Sequence, residues 1–532
     1  MRLNYQGLQD KQAWEKAGVV LPKYDWHEVC SATEKNPKWI HFGAGNIFRG
    51  FIAGLQSCLL DEGLTDTGII AAETFDYEII DKIYYPHDSM TLMVSLKPDG
   101  TTDKSIIASI TQGVKADERE KLRKIFTSPS LQMASYTITE KGYALRDMNG
   151  NLLNVAASDI EAGPENPHHV MSITASLLYE RYKAGAFPIA VVSMDNCSHN
   201  GEKLRASVLE IVNEWEKRGF VDKDFTAWIS DESRVSFPWS MIDKITPRPA
   251  DSVKDELVAL GIEDIEPVIT SKHTYIAPFV NAEVPQYLVI EDRFPNGRPA
   301  LEKAGVYMTD RDTVNKTERM KVTTCLNPLH TALAVYGCLL GYTKIADEMA
   351  DSELKTLVER IGYKEGLPVV TDPKIINPRA FIDEVITQRL PNPFMPDTPQ
   401  RIATDTSQKI PVRFGETLKS YEADPKLSAS SLVAIPLVIA GWLRYLLGVD
   451  DNGNVMQVSP DPMLSELQSV LGSLRLGEPE RADSVLASIL DNKNLFGVSL
   501  KDIGLAEKVT GMFKELLSGS GAVRKTLKKY LQ

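Results

Sequence analysis

Lys321, Asn327 and His330 stand within one short stretch, KVTTCLNPLH, with Glu318 just ahead of it. On a helix, Glu318 and Lys321 are three apart, as are Asn327 and His330, so each pair shares a face. A lysine that is partly desolvated, or that faces like charge, has a depressed pKa and can serve as a general base. An asparagine amide can donate to a substrate carbonyl or alkoxide. These residue types fit proton transfer at a substrate oxygen without a metal. A lone helical histidine is more often a satisfied core residue and a lone lysine a solvated one. The stretch therefore names candidates, not a reaction.

A second candidate lies in KWIHFGAGNIFRGFIAGLQSCLL, residues 38–60. An apolar run leads into Gly43-Ala44-Gly45, and an amphipathic run follows at once. A strand that turns through glycines into a helix leaves backbone N–H groups and a helix N-terminus open to a pyrophosphate. Phe48 occupies the place of a third glycine, and Gly50 comes two residues late. Such a site also needs an acid at the end of the next strand to accept from ribose hydroxyls. Glu73 ends GIIAAE, with Asp76 as its competitor. A carboxylate there repels the extra phosphate of NADP and so favours NAD. Other polar residues gather at strand ends: Thr139 to Tyr143, Asp195-Asn196, and Asn200-Gly201. Turn and cap chemistry explains the Asx residues equally well. In RIATDTSQKIPVR, the residues Arg401, Lys409 and Arg413 suit an anionic or polyhydroxylated ligand, or a plain charged surface.

Elements must hold these residues in place. The first half alternates strand-like runs (39–43, 68–74, 90–96, 105–111, 134–140, 187–195) with helical ones (116–127, 168–185, 201–219). Several of the strands are apolar on both faces, as in a parallel sheet covered by helices. Stretches near 87–113 and 266–291 read as antiparallel additions. Beyond about Asp310 the pattern turns to long amphipathic helices, among them 331–350, 381–390 and 508–517. The expected class is α/β: a Rossmann-like doubly wound domain over 1–295, then a mostly α-helical domain over 296–532, divided near the turn EDRFPNGRP. The 532 residues exceed what one core organises.

A net charge of −13 and the lack of a basic run argue against nucleic acid or an anionic membrane surface as partner. The first residues carry no apolar segment of the secretory kind. The longest apolar run, 432–447, is broken by Pro436 and carries Arg444, so it reads as a buried helix rather than a membrane span. Five scattered cysteines without a Cys/His cluster suggest neither structural zinc nor a disulfide framework, and the cytosol is the expected compartment.

Taken together and in order, the stretches HFGAGNIFRGF, TITEKGY, SMDNCSHNGEKL, FPWSMIDKITPRP, YLVIEDRFPNGRP, ERMKVTTCLNPLH and PQRIATDTSQKIPVR resemble the mannitol dehydrogenase family. These are polyol-specific long-chain dehydrogenases, fructuronate and tagaturonate reductases included. The resemblance covers roughly Lys38 to Arg413 and implies an active site between two domains, with metal-independent hydride transfer and NAD as cofactor. By motif position, Lys321 looks like the family's acid/base lysine. Asn327 and Asn196 look like the holders of the reacting oxygen, and Glu140 and Glu318 like acids lining the site. His330, Arg401, Lys409 and Asp243 look like substrate-binding residues. Gly43, Ala44, Gly45, Asn46, Ile47, Phe48, Arg49 and Glu73 look like the cofactor turn and its acid. The activity implied is reduction of a keto-uronate, D-fructuronate to D-mannonate, by a monomer or small homo-oligomer. Tagaturonate reduction and mannitol 2-dehydrogenation are the alternatives within the family. A catalytically silent nucleotide-binding sensor is the alternative outside it.

The chain departs from that family in two places that matter. In the glycine turn, Ile47-Phe48-Arg49 stands where the family often has Phe-His-Arg. Five residues, Val322 to Leu326, separate Lys321 from Asn327, one more than the family spacing. One extra residue in an α-helix rotates everything beyond it by ~100°. Lys321 keeps its assigned place only if a π-bulge absorbs that residue.

Overall fold

The computed structural model describes all of residues 1–532. The chain divides into two compact units, one made of Met1–Lys97 and Thr101–Asn315, the other of Pro98–Gly100 and Lys316–Gln532.

Six parallel strands form the centre of the first unit: β1 (Trp39–Phe42), β2 (Ile69–Glu73), β3 (Ile110–Lys115), β4 (Met133–Tyr136), β5 (Ile189–Ser193) and β6 (Val235–Ser236). Their order across the sheet is β3-β2-β1-β4-β5-β6, with every neighbouring pair parallel. This 3-2-1-4-5-6 order is that of the doubly wound dinucleotide fold, and the order in which strands are added reverses between β1 and β4. Side chains alternate between the two faces. Ile40, Phe42, Ile70, Ala72, Ala134, Tyr136, Ile189 and Val191 pack in one buried cluster. Trp39, Ile69, Ala71, Met133, Ala190 and Val192 pack in another. The first cluster takes in the helices Arg119–Phe126, Val170–Lys183 and Asn200–Lys217. The second takes in the π turn Phe48–Ile52 and the helix Ala53–Asp61 that continues it. Both faces being covered is why β1, β2 and β5 consist wholly of buried residues.

Three readings of the sequence give way here. The run 105–111 is two strands, because Ala108-Ser109 carries the chain from Thr102–Ile107 in a separate sheet into β3. The stretch 134–140 is extended only through Tyr136; Thr139, at φ +62°, opens a short helix instead. The β-rich additions are mixed rather than antiparallel. Thr91–Leu96 pairs antiparallel with Thr102–Ile107 but parallel with Phe279–Glu283. Ser240–Asp243 does pair antiparallel with Tyr287–Glu291.

The second unit is helical. Its apolar centrepiece, Ala434–Tyr445, is buried at every residue. Glu365 makes that burial tolerable at the N-terminus, where its carboxylate accepts from the N–H groups of Val433, Ala434 and Ile435 at 2.7–2.8 Å. At the other end Arg444 donates to the carbonyls of Val449 and Asp450 at 2.6 and 3.0 Å. No helix of the chain is long and apolar enough to cross a membrane. The expected helix over 331–350 begins earlier, at Asn327, and ends at Leu340, where Gly341 takes φ +80°; Ile345–Glu348 is a separate turn.

Candidate active-site residues

The glycine turn leaves β1 at its carboxyl end. Gly43 has φ +103°, and a Cβ there would lie 2.1 Å from the Thr137 carbonyl, so the turn can pass β4 only as glycine. At Gly45 the corresponding space is open. Helical structure begins at Asn46, whose buried Oδ1 has no hydrogen-bond partner. Phe48, Arg49 and Ile52 are buried. Phe48 stacks on His41 with ring centroids 4.0 Å apart, and Arg49 donates to Thr91 Oγ1 and the Pro278 carbonyl at 3.2 and 2.9 Å. Any contact Phe48 makes to a ligand is therefore through backbone, and Arg49 is turned into the core. The irregular G-x-G-x-x-F sequence makes sense on these terms, since the third position is a packing residue for the helix against β1.

Glu73 ends β2 beside this turn. One carboxylate oxygen accepts from Ala44 N at 2.9 Å, and the other from Thr74, Phe75 and Asp76 N–H at 2.9, 2.8 and 3.3 Å. The acid thus fixes the glycine turn to the β2 loop as well as standing where a ribose acid belongs. Asp76 is held by Thr270, which donates to Oδ2 at 2.6 Å, while its Oδ1 is buried without a partner.

The strand ends on the other side of β1 carry the remaining first-unit candidates. Asp195 accepts from Ile138 N, Thr139 N and Tyr143 Oη at 2.8, 3.0 and 2.6 Å, tying the β4 and β5 loops together. Asn200 bridges Ser193, Asp195 and Ser240. Both do the turn work that Asx residues favour. Asn196, next to Asp195, is exposed. Glu140 is on the surface, ion-paired with Lys203. Asp243 is buried at the end of its strand.

In the second unit the extra residue after Lys321 is taken up by a π turn over Lys321–Cys325, closed by Leu326 N–H donating to the Lys321 carbonyl at 3.1 Å. Leu326 then leaves helical geometry (φ −130°), and a new helix starts at Asn327 with Pro328 in its first turn. This is the bulge the sequence required. Lys321 is buried and Glu318 half-buried one turn ahead. Thr324 packs against Gly366, where a Cβ would approach Thr324 Cγ2 to 2.7 Å.

Around His330 lies a cationic group. His330 Nε2 is 3.5 Å from Asp397 Oδ2, and Asp397 also pairs with Arg401. Arg413 donates to Thr331 Oγ1 at 2.6 Å. Lys409 donates to the Ile402 carbonyl at 3.0 Å and to that of Thr404. Burial, above all, and then Arg413 nearby bring the Lys409 pKa down to about 8. Burial also pushes His330 below the usual imidazole range, so the ring is neutral and its contact with Asp397 is not a full ion pair. Asp397 was not among the sequence candidates; its i, i+4 spacing to Arg401 was the available signal.

The first unit's fold and turn define a Rossmann-type dinucleotide-dependent oxidoreductase architecture, and the comparisons with known proteins specify it. Residues 37–303 match the mannitol dehydrogenase Rossmann domain and residues 313–517 the mannitol dehydrogenase C-terminal domain. The chain belongs to the mannitol dehydrogenase family. It is 56% identical over 535 aligned residues to a D-mannonate oxidoreductase of Thermotoga maritima, covering 99% of each chain. It is 30% identical to a mannitol 2-dehydrogenase of Pyrenophora tritici-repentis, over 94% of this chain and 81% of that one. Among solved structures, a substrate-free D-sorbitol dehydrogenase aligns with TM-score 0.79 at 26% identity, over 95% of this chain and 97% of that one. Pseudomonas fluorescens mannitol 2-dehydrogenase, solved as a ternary complex with NAD and D-mannitol, aligns with TM-score 0.69 at 26% identity, over 100% and 99%.

Proposed function

We propose that this protein is an NAD-dependent D-mannonate oxidoreductase, interconverting the keto-uronate D-fructuronate and D-mannonate. The observation that carries the reading is the 56% identity to a D-mannonate oxidoreductase over 99% of both chains. The residues present suit the cofactor: a glycine at φ +103° under β4, open space at Gly45, a helix N-terminus and an acid at the β2 end. Gly45, Asn46 and Ile47 would hold the pyrophosphate through backbone N–H groups, with Glu73 on the adenosine ribose; Gly43 and Ala44 would shape the turn, since their N–H groups go to the Ala72 carbonyl and the Glu73 carboxylate at 2.9 Å each.

When bound, the cofactor supplies or accepts the hydride. The chain's own part is one proton and one orientation. In the reducing direction, Lys321 gives a proton to the ketone oxygen as it gains negative charge, and the amide of Asn327 donates to that oxygen. In the oxidising direction, Lys321 takes the hydroxyl proton. Glu318, one turn ahead of Lys321, would exchange that proton with solvent. Neutral His330 is suited to hold a substrate hydroxyl, with Asp243 a further polar contact for the substrate. Arg401, Lys409 and Arg413 supply positive charge for the carboxylate.

The test is a panel of D-fructuronate, D-tagaturonate and D-fructose, each assayed with NADH and with NADPH. Preferred turnover of D-fructuronate with NADH is expected. Turnover of fructose alone would sink the uronate reading, and NADH binding without turnover of any of the three would make the protein a sensor.

A further inference from the structure

Beneath the glycine turn runs a chain of four buried or half-buried polar groups on one face of the sheet. Trp39 Nε1 donates to Ser135 Oγ at 2.7 Å; Ser135 Oγ lies 2.6 Å from His41 Nδ1; His41 Nε2 lies 2.8 Å from Thr137 Oγ1. The direction of each bond follows from counting protons. An indole N–H only donates, so Ser135 accepts there. The single Ser135 proton then has His41 Nδ1 as its acceptor. If Nδ1 instead carried the ring proton, the fully buried Ser135 hydroxyl would receive two donors and leave its own proton without an acceptor, a cost folded proteins avoid. An imidazolium would do the same, and burial independently holds the ring well below the usual histidine range. His41 is therefore the neutral Nε2–H tautomer, and it donates to Thr137.

Thr137 Oγ1 already receives that proton, so its own proton must point away from the histidine. Thr137 follows directly on β4 and is half-buried. Its Oγ1 would lie 3.3 Å from a Cβ on Gly43, and so borders the turn where β1 and β4 diverge. That is the crevice in which a doubly wound sheet takes its ligand. Glu73 serves the β2 side of this crevice, while Thr137 stands on the β4 side, that of the second mononucleotide half.

We propose that Thr137 is a cofactor-positioning residue: a hydroxyl polarised and oriented by the Trp39–Ser135–His41 chain to donate to an acceptor oxygen on the nicotinamide-side half of the bound dinucleotide. The proposal rests on the dinucleotide reading above. Titration calorimetry on the full-length protein, with NADH and with AMP as probes, tests it. Thr137→Val is expected to raise the Kd for NADH about three- to tenfold, the worth of one hydrogen bond, and to leave AMP unchanged. Thr137→Ser is expected to restore NADH binding. Unchanged NADH binding in Thr137→Val overturns the proposal, as does an equal loss for AMP, which would mean a distorted turn. Nitrogen-15 spectra of labelled histidine give a separate reading. An Nε2–H signal for His41 supports the relay, and an Nδ1–H signal overturns it whatever the protein binds. A wild-type protein that fails to bind NADH overturns the dinucleotide reading itself.

Discussion

At the scale of single residues, Lys321 and Glu73 show how one side chain acquires its meaning. Lys321 is a long cation that the chain buries at the first position of a π turn, where ordinary helix propensity gives no reason to keep it. If it handles the proton, Lys321→Ala is expected to lower kcat by about 10²- to 10⁴-fold and leave the Kd for NADH near the wild-type value. A variant that turns over at near wild-type rate would move the proton to another group. Glu73 makes four backbone hydrogen bonds around the glycine turn. Its identity was legible from its place at a strand end. Its second duty, pinning the turn, was not, because those partners belong to segments 29 residues apart as well as to its own loop.

Among elements, the π turn decides most. Five residues between Lys321 and Asn327 would break the register of a plain α-helix; the wider turn takes up one of them before the chain breaks at Leu326 and starts a new helix at Asn327. The turn is backed by Gly366, which has no room for a Cβ beside Thr324 Cγ2. Gly366→Ala is therefore expected to disturb the π turn and reduce kcat at least severalfold without weakening NADH binding. Adding Thr324→Ser, which removes the obstructing methyl, is expected to recover part of the loss. No recovery in the double variant would mean that the constraint lies in the backbone near Ile361 instead. The sequence showed that such a bulge was needed, since spacing is countable. It did not show which neighbours hold the bulge open.

On the scale of the whole molecule, stability depends on how buried acids are accommodated as well as on apolar clusters. Glu365 is a satisfied example, spent on a helix N-terminus. Glu348 is the opposite: fully buried, packed on Gly337, with both carboxyl oxygens lacking hydrogen-bond partners. Burial, with Asp351 and Asp347 adding repulsion, pushes its pKa up to about 9. The folded state thus holds a proton that the unfolded chain releases near the ordinary carboxylate pKa. The stability this gives is complete below that lower pKa and is lost as pH rises toward about 9. Glu348→Gln carries no such titration. Its Tm relative to the wild type is expected to climb steadily when measured at pH 5, 7 and 9. A Tm difference that stays constant over that range would show that Glu348 titrates normally.

The sequence by itself determined what is local and countable. The glycine turn after an apolar strand, the acid closing the second strand, the both-face apolar strands, the buried helix at 432–447 and the one-residue surplus after Lys321 all follow from spacing and side-chain type. The tertiary structure alone decided what depends on residues brought together from afar. It set the strand order that puts β4 beside β1, turned Arg49 inward and Glu140 outward, split 105–111 between two sheets and seated Asp397 next to His330. It also brought Ser135, His41 and Thr137 into one hydrogen-bonded chain. A hydrogen-bond relay has no period and no fixed spacing; it exists only once parallel strands set residues 94 to 96 positions apart side by side.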